Sequence, residues 1–152
     1  MKKIAAFPGS FSPFTIGHKS IIDKILPIFD KIIIAIGTNS EKEEIFSVNQ
    51  RINWIKSVYK NNTKIFIDQY QGLTVDYCIK SGAKYIIRGL RNENDFKYEH
   101  EILKVNKKLS QDINTIFIIS DKKYHEISST KIRNMLNNGE DPNIFLPKEI
   151  KL

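Results

Sequence analysis

The sequence of 152 residues predicts a single α/β domain, 1–152, with a Rossmann-like, doubly wound, five-stranded parallel sheet. Five short Ile- and Phe-rich runs recur along the chain, most of them apolar at successive positions, as in strands buried on both faces. Segments with helical spacing or helix caps follow each run, and no repeat, low-complexity tract or linker interrupts the alternation. Strand and helix alternating in this way require right-handed crossovers, hence parallel strands covered on both faces.

The first strand is "KKIAAF" (2–7). A helix follows from about Gly17 to Ile28, with Ile21, Ile22, Ile25 and Ile28 at helical spacing and Pro27 to end it. "KIIIAIG" (31–37) is the second strand. Ser47-Val48-Asn49-Gln50 fits a capping box, Ser47 as N-cap and Gln50 reaching back. The helix it opens runs to about Lys60, with Ile52, Ile55 and Val58 or Tyr59 on one side and Trp54 packed. "TKIFID" (63–68) is the third strand. "LTVDYCIKSG" (73–82) is a shorter helix with Cys78 in its core face and Gly82 as C-cap. "KYIIRG" (84–89) is the fourth strand and "ENDFKYEHEILKVNKKLS" (93–110) a long helix. "NTIFIIS" (114–120) is the fifth strand. "SSTKIRNMLNNG" (128–139) is a final helix capped by serine and closed by Gly139.

Composition narrows the partners. Apolar content is 41% and charged content 27%, and no apolar run approaches the length of a membrane span. "MKKIAAF" is too short an apolar stretch for a signal peptide. A lone cysteine, Cys78, suits a reducing cytoplasm. The net charge of +7 comes from 24 dispersed basic residues whose longest runs are doublets such as Lys107-Lys108. No nucleic-acid patch or aromatic-rich binding motif is visible, so the charge favours a small anionic ligand. His18, His100 and His125 have no metal-ligand spacing, and a protein-held metal is not expected.

In doubly wound sheets, ligands bind beyond the carboxyl ends of strands. Residues 7 to 18, "FPGSFSPFTIGH", leave the first strand there. Gly9 and Gly17 let backbone approach a ligand closely, and the next helix offers unpaired N–H groups and the positive end of its dipole. His18 at that helix start can donate to a phosphate oxygen. After the fourth strand, Arg88 and Arg91 flank Gly89 and Leu90, and two guanidiniums can grip phosphate oxygens with planar paired donors. After the fifth strand, Ser128, Ser129 and Thr130 gather hydroxyls and N–H groups at another helix start, with Tyr124 and His125 just before.

"PGSFSPFTIGH" resembles the T/HxGH signature of the nucleotidyltransferase superfamily and, more closely, the bacterial phosphopantetheine adenylyltransferase family. "IIRGLRNENDFKYE" (86–99), "YHEISSTKIR" (124–133) and "NIFLP" (143–147) extend the resemblance over essentially the whole chain, in order and at matching separations. The resemblance implies adenylyl transfer from ATP to 4′-phosphopantetheine, giving dephospho-coenzyme A and pyrophosphate without a covalent intermediate. It implies that His18, Ser10, Lys42 and Arg91 are catalytic. Ser10, Phe11, His18, Gly89, Leu90, Arg91, Glu99, Tyr124, His125, Glu126, Ile127, Ser128, Ser129 and Thr130 would bind ATP. Ser10, Lys42, Thr74 and Arg88 would bind phosphopantetheine. Mg2+ would arrive with ATP, coenzyme A would act as feedback inhibitor, and the assembly would be a hexamer of two stacked trimers. The chain departs from the family at Ser12, where aspartate is usual, at Ile16, and in the acidic Glu43-Glu44. A sister nucleotidyltransferase sharing the TxGH loop is the nearest rival reading, and an RNA-binding module, motivated by charge alone, is the rival from another class.

Overall fold

The computed structural model describes residues 1–41 and 43–152. Among the described residues, five strands form one all-parallel sheet: β1 (Ile4–Gly9), β2 (Lys31–Gly37), β3 (Ile65–Tyr70), β4 (Tyr85–Leu90) and β5 (Asn114–Ile119). Their order is β3-β2-β1-β4-β5. Between them run α1 (Ile16–Ile25), α2 (Val48–Val58), α3 (Thr74–Ser81) and α4 (Glu93–Leu109), and α5 (Ser129–Asn137) follows β5. No helix of the described residues is long and apolar enough to cross a membrane.

The chain builds outward from β1 to β3, then crosses back to β4 and β5. Right-handed crossovers therefore place α1 and α2 on one face and α3 and α4 on the other. The strands' alternating side chains follow suit. Ala5, Phe7 and Ile87 join Ile22, Ile25, Ile55 and Ile132 in one apolar layer, which Leu146 and Ile150 complete. Ala6 and Ile86 meet Val75, Cys78 and Ile113 in the other.

The sheet opens where the strand order reverses. β1 is aligned with β2 along its whole length, from Ile4–Lys31 to Gly9–Ile36, but with β4 only at Ala5–Tyr85 and Ala6–Ile86. Both strands continue past that point without facing each other, leaving a crevice at their carboxyl ends. Such a point is where ligands enter folds of this kind. Pro8, which has no N–H for a ladder, falls just beyond the divergence, so β1 runs on to Gly9 instead of stopping at Phe7.

Two further expectations need correcting. α1 ends at Ile25, and Ile28, beyond the last turn and past Pro27, is 54% exposed instead of facing the core. The outer strands are covered less fully than their apolar runs imply, because an edge strand lacks a neighbour on one side. Phe66 in β3 and Ile119 in β5 are exposed, and Phe66 is shielded by the Lys31 ammonium 4.3 Å from its ring centroid. The capping box of Ser47 and Gln50 is present in full. Gly82 takes the left-handed conformation that ends α3, at φ 77°.

Candidate active site

The crevice holds a cavity of about 300 Å³. β1 and its loop supply Pro8, Gly9, Ser10 and Phe11, and α1 supplies Gly17, His18 and Ile21. β4 and α4 add Arg88, Gly89, Arg91, Asp95 and Glu99, and the segment entering α5 adds Tyr124, Ile127, Ser128 and Ser129. A second cavity of about 210 Å³ adjoins it, lined by Tyr70, Thr74, Ile102, Leu103 and Asn106 among others. The two share Pro8, Gly9, Arg88 and Glu99.

His18 is fixed in orientation and protonation. Thr15 caps α1: its hydroxyl accepts from the His18 N–H at 3.2 Å, while the Thr15 N–H donates to His18 Nδ1 at 3.0 Å. This is a capping box with histidine in the place usually held by glutamate or glutamine. Because Nδ1 accepts, the neutral ring carries its proton on Nε2. The rings of Phe14 (stacked, 5.5 Å), Phe11 (edge-on, 5.0 Å) and Phe7 (edge-on, 6.3 Å) surround the imidazole. Burial, reinforced by the charges of Arg88 and Arg91, pulls its pKa down to about 4. At neutral pH His18 is an aimed, uncharged donor.

Each arginine is braced by a carboxylate. Arg88 forks onto Glu99, Nη2 to Oε1 at 2.6 Å and Nε to Oε2 at 2.9 Å, and its Nη1 donates to the Pro8 carbonyl at 2.8 Å. These bonds use three of the five N–H groups of a guanidinium, leaving one on each terminal nitrogen. Arg91 pairs with Asp95, Nε to Oδ2 at 3.0 Å and Nη2 to Oδ1 at 3.2 Å, and its backbone N–H reaches the same carboxylate. Partial burial pushes the Asp95 carboxyl up, but the hydrogen bonds and charge of Arg91 outweigh it and hold the group below its ordinary range. Both carboxylates lining the first cavity thus face arginines. Among the described residues no cluster of three His, Cys, Asp or Glu side chains could hold a metal ion.

The hydroxyls expected to converge at α5 are placed differently. Ser128 caps the helix by accepting the Lys131 N–H, and the Ser129 hydroxyl donates to the Pro13 carbonyl at 2.7 Å. Thr130 lies off the cavity and accepts from Arg133. Ser128 and Ser129 both line the cavity; the Ser128 hydroxyl keeps its own O–H to donate, and the first-turn N–H groups of the helix lack intrahelical partners. Tyr124 lines the cavity, whereas His125 turns its Nε2 to the Ser120 carbonyl at 2.9 Å. Leu90 is buried away from the cavity, and Glu126 does not line it. Thr74 belongs to the second cavity, its hydroxyl 2.7 Å from that of Tyr70. Lys42 lies outside the described residues.

Sequence reasoning missed Thr15, Phe7, Phe14 and Asp95 as parts of the site. Thr15 was findable, since threonine three residues before His18 is the capping-box spacing with an unusual partner. The phenylalanine cage has no such local signal.

Comparison with known proteins agrees with this geometry. A family model described as cytidylyltransferase-like matches residues 6–135. The chain is 45% identical over 151 residues to the phosphopantetheine adenylyltransferase of Christiangramia forsetii, covering 99% of both. It is 43% identical over 148 residues to the enzyme of that name from Flavobacterium psychrophilum, covering 97% of both. The same name belongs to a relative in Leptospira biflexa, 45% identical over 139 residues, 91% of this chain and 87% of that one. A crystal structure of a bifunctional NMN adenylyltransferase/ADP ribose pyrophosphatase from Francisella tularensis superposes with a TM-score of 0.72 at 21% identity. It covers 96% of this chain and 45% of that longer one, and at that identity the likeness is one of fold.

Proposed function

The chain belongs to the phosphopantetheine adenylyltransferase family, and from that premise we propose the following account of its chemistry. The protein transfers the adenylyl group of ATP to 4′-phosphopantetheine, giving dephospho-coenzyme A and pyrophosphate. One observation carries the assignment of residues: two cavities meet at the Arg88–Glu99 pair, with the Nε2–H of His18 beside the larger. ATP would occupy the larger cavity and the acceptor's arm the smaller, its phosphate at the shared wall.

An oxygen of the acceptor's phosphate attacks the α-phosphorus, and the bond from that phosphorus to the bridging oxygen of the β-phosphate breaks as pyrophosphate leaves. No protein nucleophile is needed. Catalysis of this kind rests on alignment and on donors aimed at the developing charge. His18 would donate to an α-phosphate oxygen. Arg88, with its two remaining N–H groups, and Lys42 would hold the attacking phosphate. Ser10 would meet both substrates, and Arg91 and the first turn of α5 would hold the triphosphate. Glu99 would act through Arg88, which its carboxylate orients. The ATP is the magnesium complex, the ion travelling with the substrate.

The setting of the enzyme belongs to the same proposal. A reducing cytoplasm suits the single buried thiol of Cys78. Coenzyme A, which shares the product's arm and nucleotide, would compete for both cavities. Tyr98, Val105 and Leu109, exposed on α4 at seven- and four-residue spacing that sets them along one side of the helix, support the hexamer of stacked trimers, because apolar groups gathered on one face mark an interaction surface.

Pyrophosphate release tests the reaction. Release with MgATP and 4′-phosphopantetheine, but not with nicotinate mononucleotide or without acceptor, is the expected result. Release with another acceptor would retain the mechanism and discard the substrate. No release from folded protein would reduce the role to binding.

A further inference from the structure

Four carbonyls at the end of β1 and in the loop after it are each held by a side chain from another element. Pro8 is held by Arg88 at 2.8 Å, Ser10 by Arg51 Nη1 at 2.7 Å, Ser12 by Arg133 Nη1 at 2.7 Å, and Pro13 by Ser129 at 2.7 Å. Arg51 stands apart in this set. It lies in the first turns of α2, only 2% exposed, and is not among the residues lining either cavity. Its Nε also reaches the Ser47 carbonyl, at 3.4 Å. Burying a guanidinium is costly unless its donors are used. Two of them are used on backbone here, one on a carbonyl 41 residues away in sequence, and the charge of Glu44 also favours the charged guanidinium.

The carbonyl that Arg51 holds belongs to an unusual corner. Phe11, the next residue, has φ 48°, a left-handed conformation that side-chain-bearing residues adopt only when their surroundings impose it. Its ring is buried and pressed over Gly9, where an added Cβ would come within 3.0 Å of it. The same ring packs edge-on against His18. The Ser10–Phe11 peptide is trans, so its N–H lies on the edge opposite its carbonyl. With the carbonyl drawn down to Arg51, the Phe11 N–H points away from α2, on a corner that lines the larger cavity.

We infer that Arg51 is a positioning residue for the nucleotide: it holds the Ser10–Phe11 peptide in the one orientation that offers an N–H, not a carbonyl, to the phosphates. Without it the peptide is free to rotate, and a rotated peptide sets carbonyl lone pairs where an anion must lie. The adenylyl-transfer reading sets what this means for turnover, but the binding prediction needs only that the larger cavity takes ATP.

Arg51→Met keeps length and apolar packing and removes the donors. Arg51→Lys keeps the charge and one donor. ATP and 4′-phosphopantetheine affinities are measured by titration calorimetry, alongside pyrophosphate release and thermal melting. The expected result for Arg51→Met is ATP binding weakened by about tenfold or more, the scale of one lost hydrogen bond to a charged group, with acceptor affinity unchanged. Arg51→Lys, which keeps the charge but not the planar fork, weakens ATP binding in the same sense and by less. Wild-type ATP affinity and turnover in folded Arg51→Met overturn the inference. So does loss of both affinities together in step with melting temperature, which marks a purely structural role. If Arg51→Met does not fold, Arg51→Lys decides: a raised KM for ATP alone supports the inference, and KM values that are both unchanged or both raised overturn it. A wild-type protein that binds ATP but ignores phosphopantetheine ends the substrate assignment, while the ATP titrations still decide on Arg51. One that does not bind ATP ends both.

Discussion

At the scale of single residues, the protonation of His18 is the most consequential property of the site. Its ring is neutral because burial and two nearby guanidiniums oppose a further charge. In the free protein, imidazole resonances of His18 should titrate near pH 4, not near the ordinary 6.5. An NMR midpoint above 6 would remove the argument for a neutral donor. The sign for stability follows by linkage. The unfolded state takes up the proton first, so stability is fully present above about pH 6.5. It declines as the pH falls towards 4, by up to about 1.4 kcal/mol for each pH unit. His18→Ala should lower turnover roughly a hundredfold, about 3 kcal/mol, the usual cost of one aimed donor. A variant with full kcat would exclude that role. Glu99→Gln leaves Arg88 with half of its fork. Breaking a buried pair costs about 3 kcal/mol at the low end, the relevant end because the Arg88 side chain is 29% exposed. Urea unfolding reads the stability loss, and a raised KM for acceptor reads the loss of orientation.

Caps and strand edges decide the elements. Gly82 ends α3 with φ 77° and open space where a Cβ would go, so backbone strain alone opposes a side chain there. Gly82→Ala should therefore cost about 1 kcal/mol and leave kcat untouched, which denaturant melts and a rate assay check together. What the sequence revealed at this scale was what local chemistry controls. β2 was legible to the residue, as five apolar positions between a lysine and a glycine. The Ser47 cap, the Gly82 stop and the order of elements were legible for the same reason. The outer faces of β3 and β5 were not, because apolar composition does not say which strand lies at an edge. The site was legible in outline through His18, Arg88 and Arg91. Arg51 and Arg133 were not, since their partners are carbonyls 41 and 121 residues away, and any residue type carries a carbonyl. Local reading assigned the α5 start to a ligand, and Ser128 and Ser129 line the larger cavity, but it did not reveal that Ser129 also ties the β1 loop through the Pro13 carbonyl.

Across the whole molecule, the last residues belong to the core as much as the strands do. Leu146 and Ile150 pack into the layer beneath α1 and α2, and Ile150 is 3% exposed. Ile150→Ala should cost about 2–5 kcal/mol, as for other buried aliphatics cut to alanine. An unchanged urea midpoint would show that this segment detaches freely. Assembly is tested at the same scale: light scattering should return six copies, and Val105→Glu on the exposed side of α4 should shift the mass downward. The strand order also carries a consequence in time. β1 is the middle strand, flanked by β2 and β4, and the loop that bears Ser10, Phe11 and His18 grows directly from its end. Each amide of β1 bonds to β2 or to β4, strands that are themselves held from their far sides, whereas alternate amides of β3 and β5 face an open edge. Deuterium uptake should thus spread inward from the edges and reach β1 last, at a rate set by global opening. Uptake through β1 before β3 would mean that the loop rests on a locally opening base.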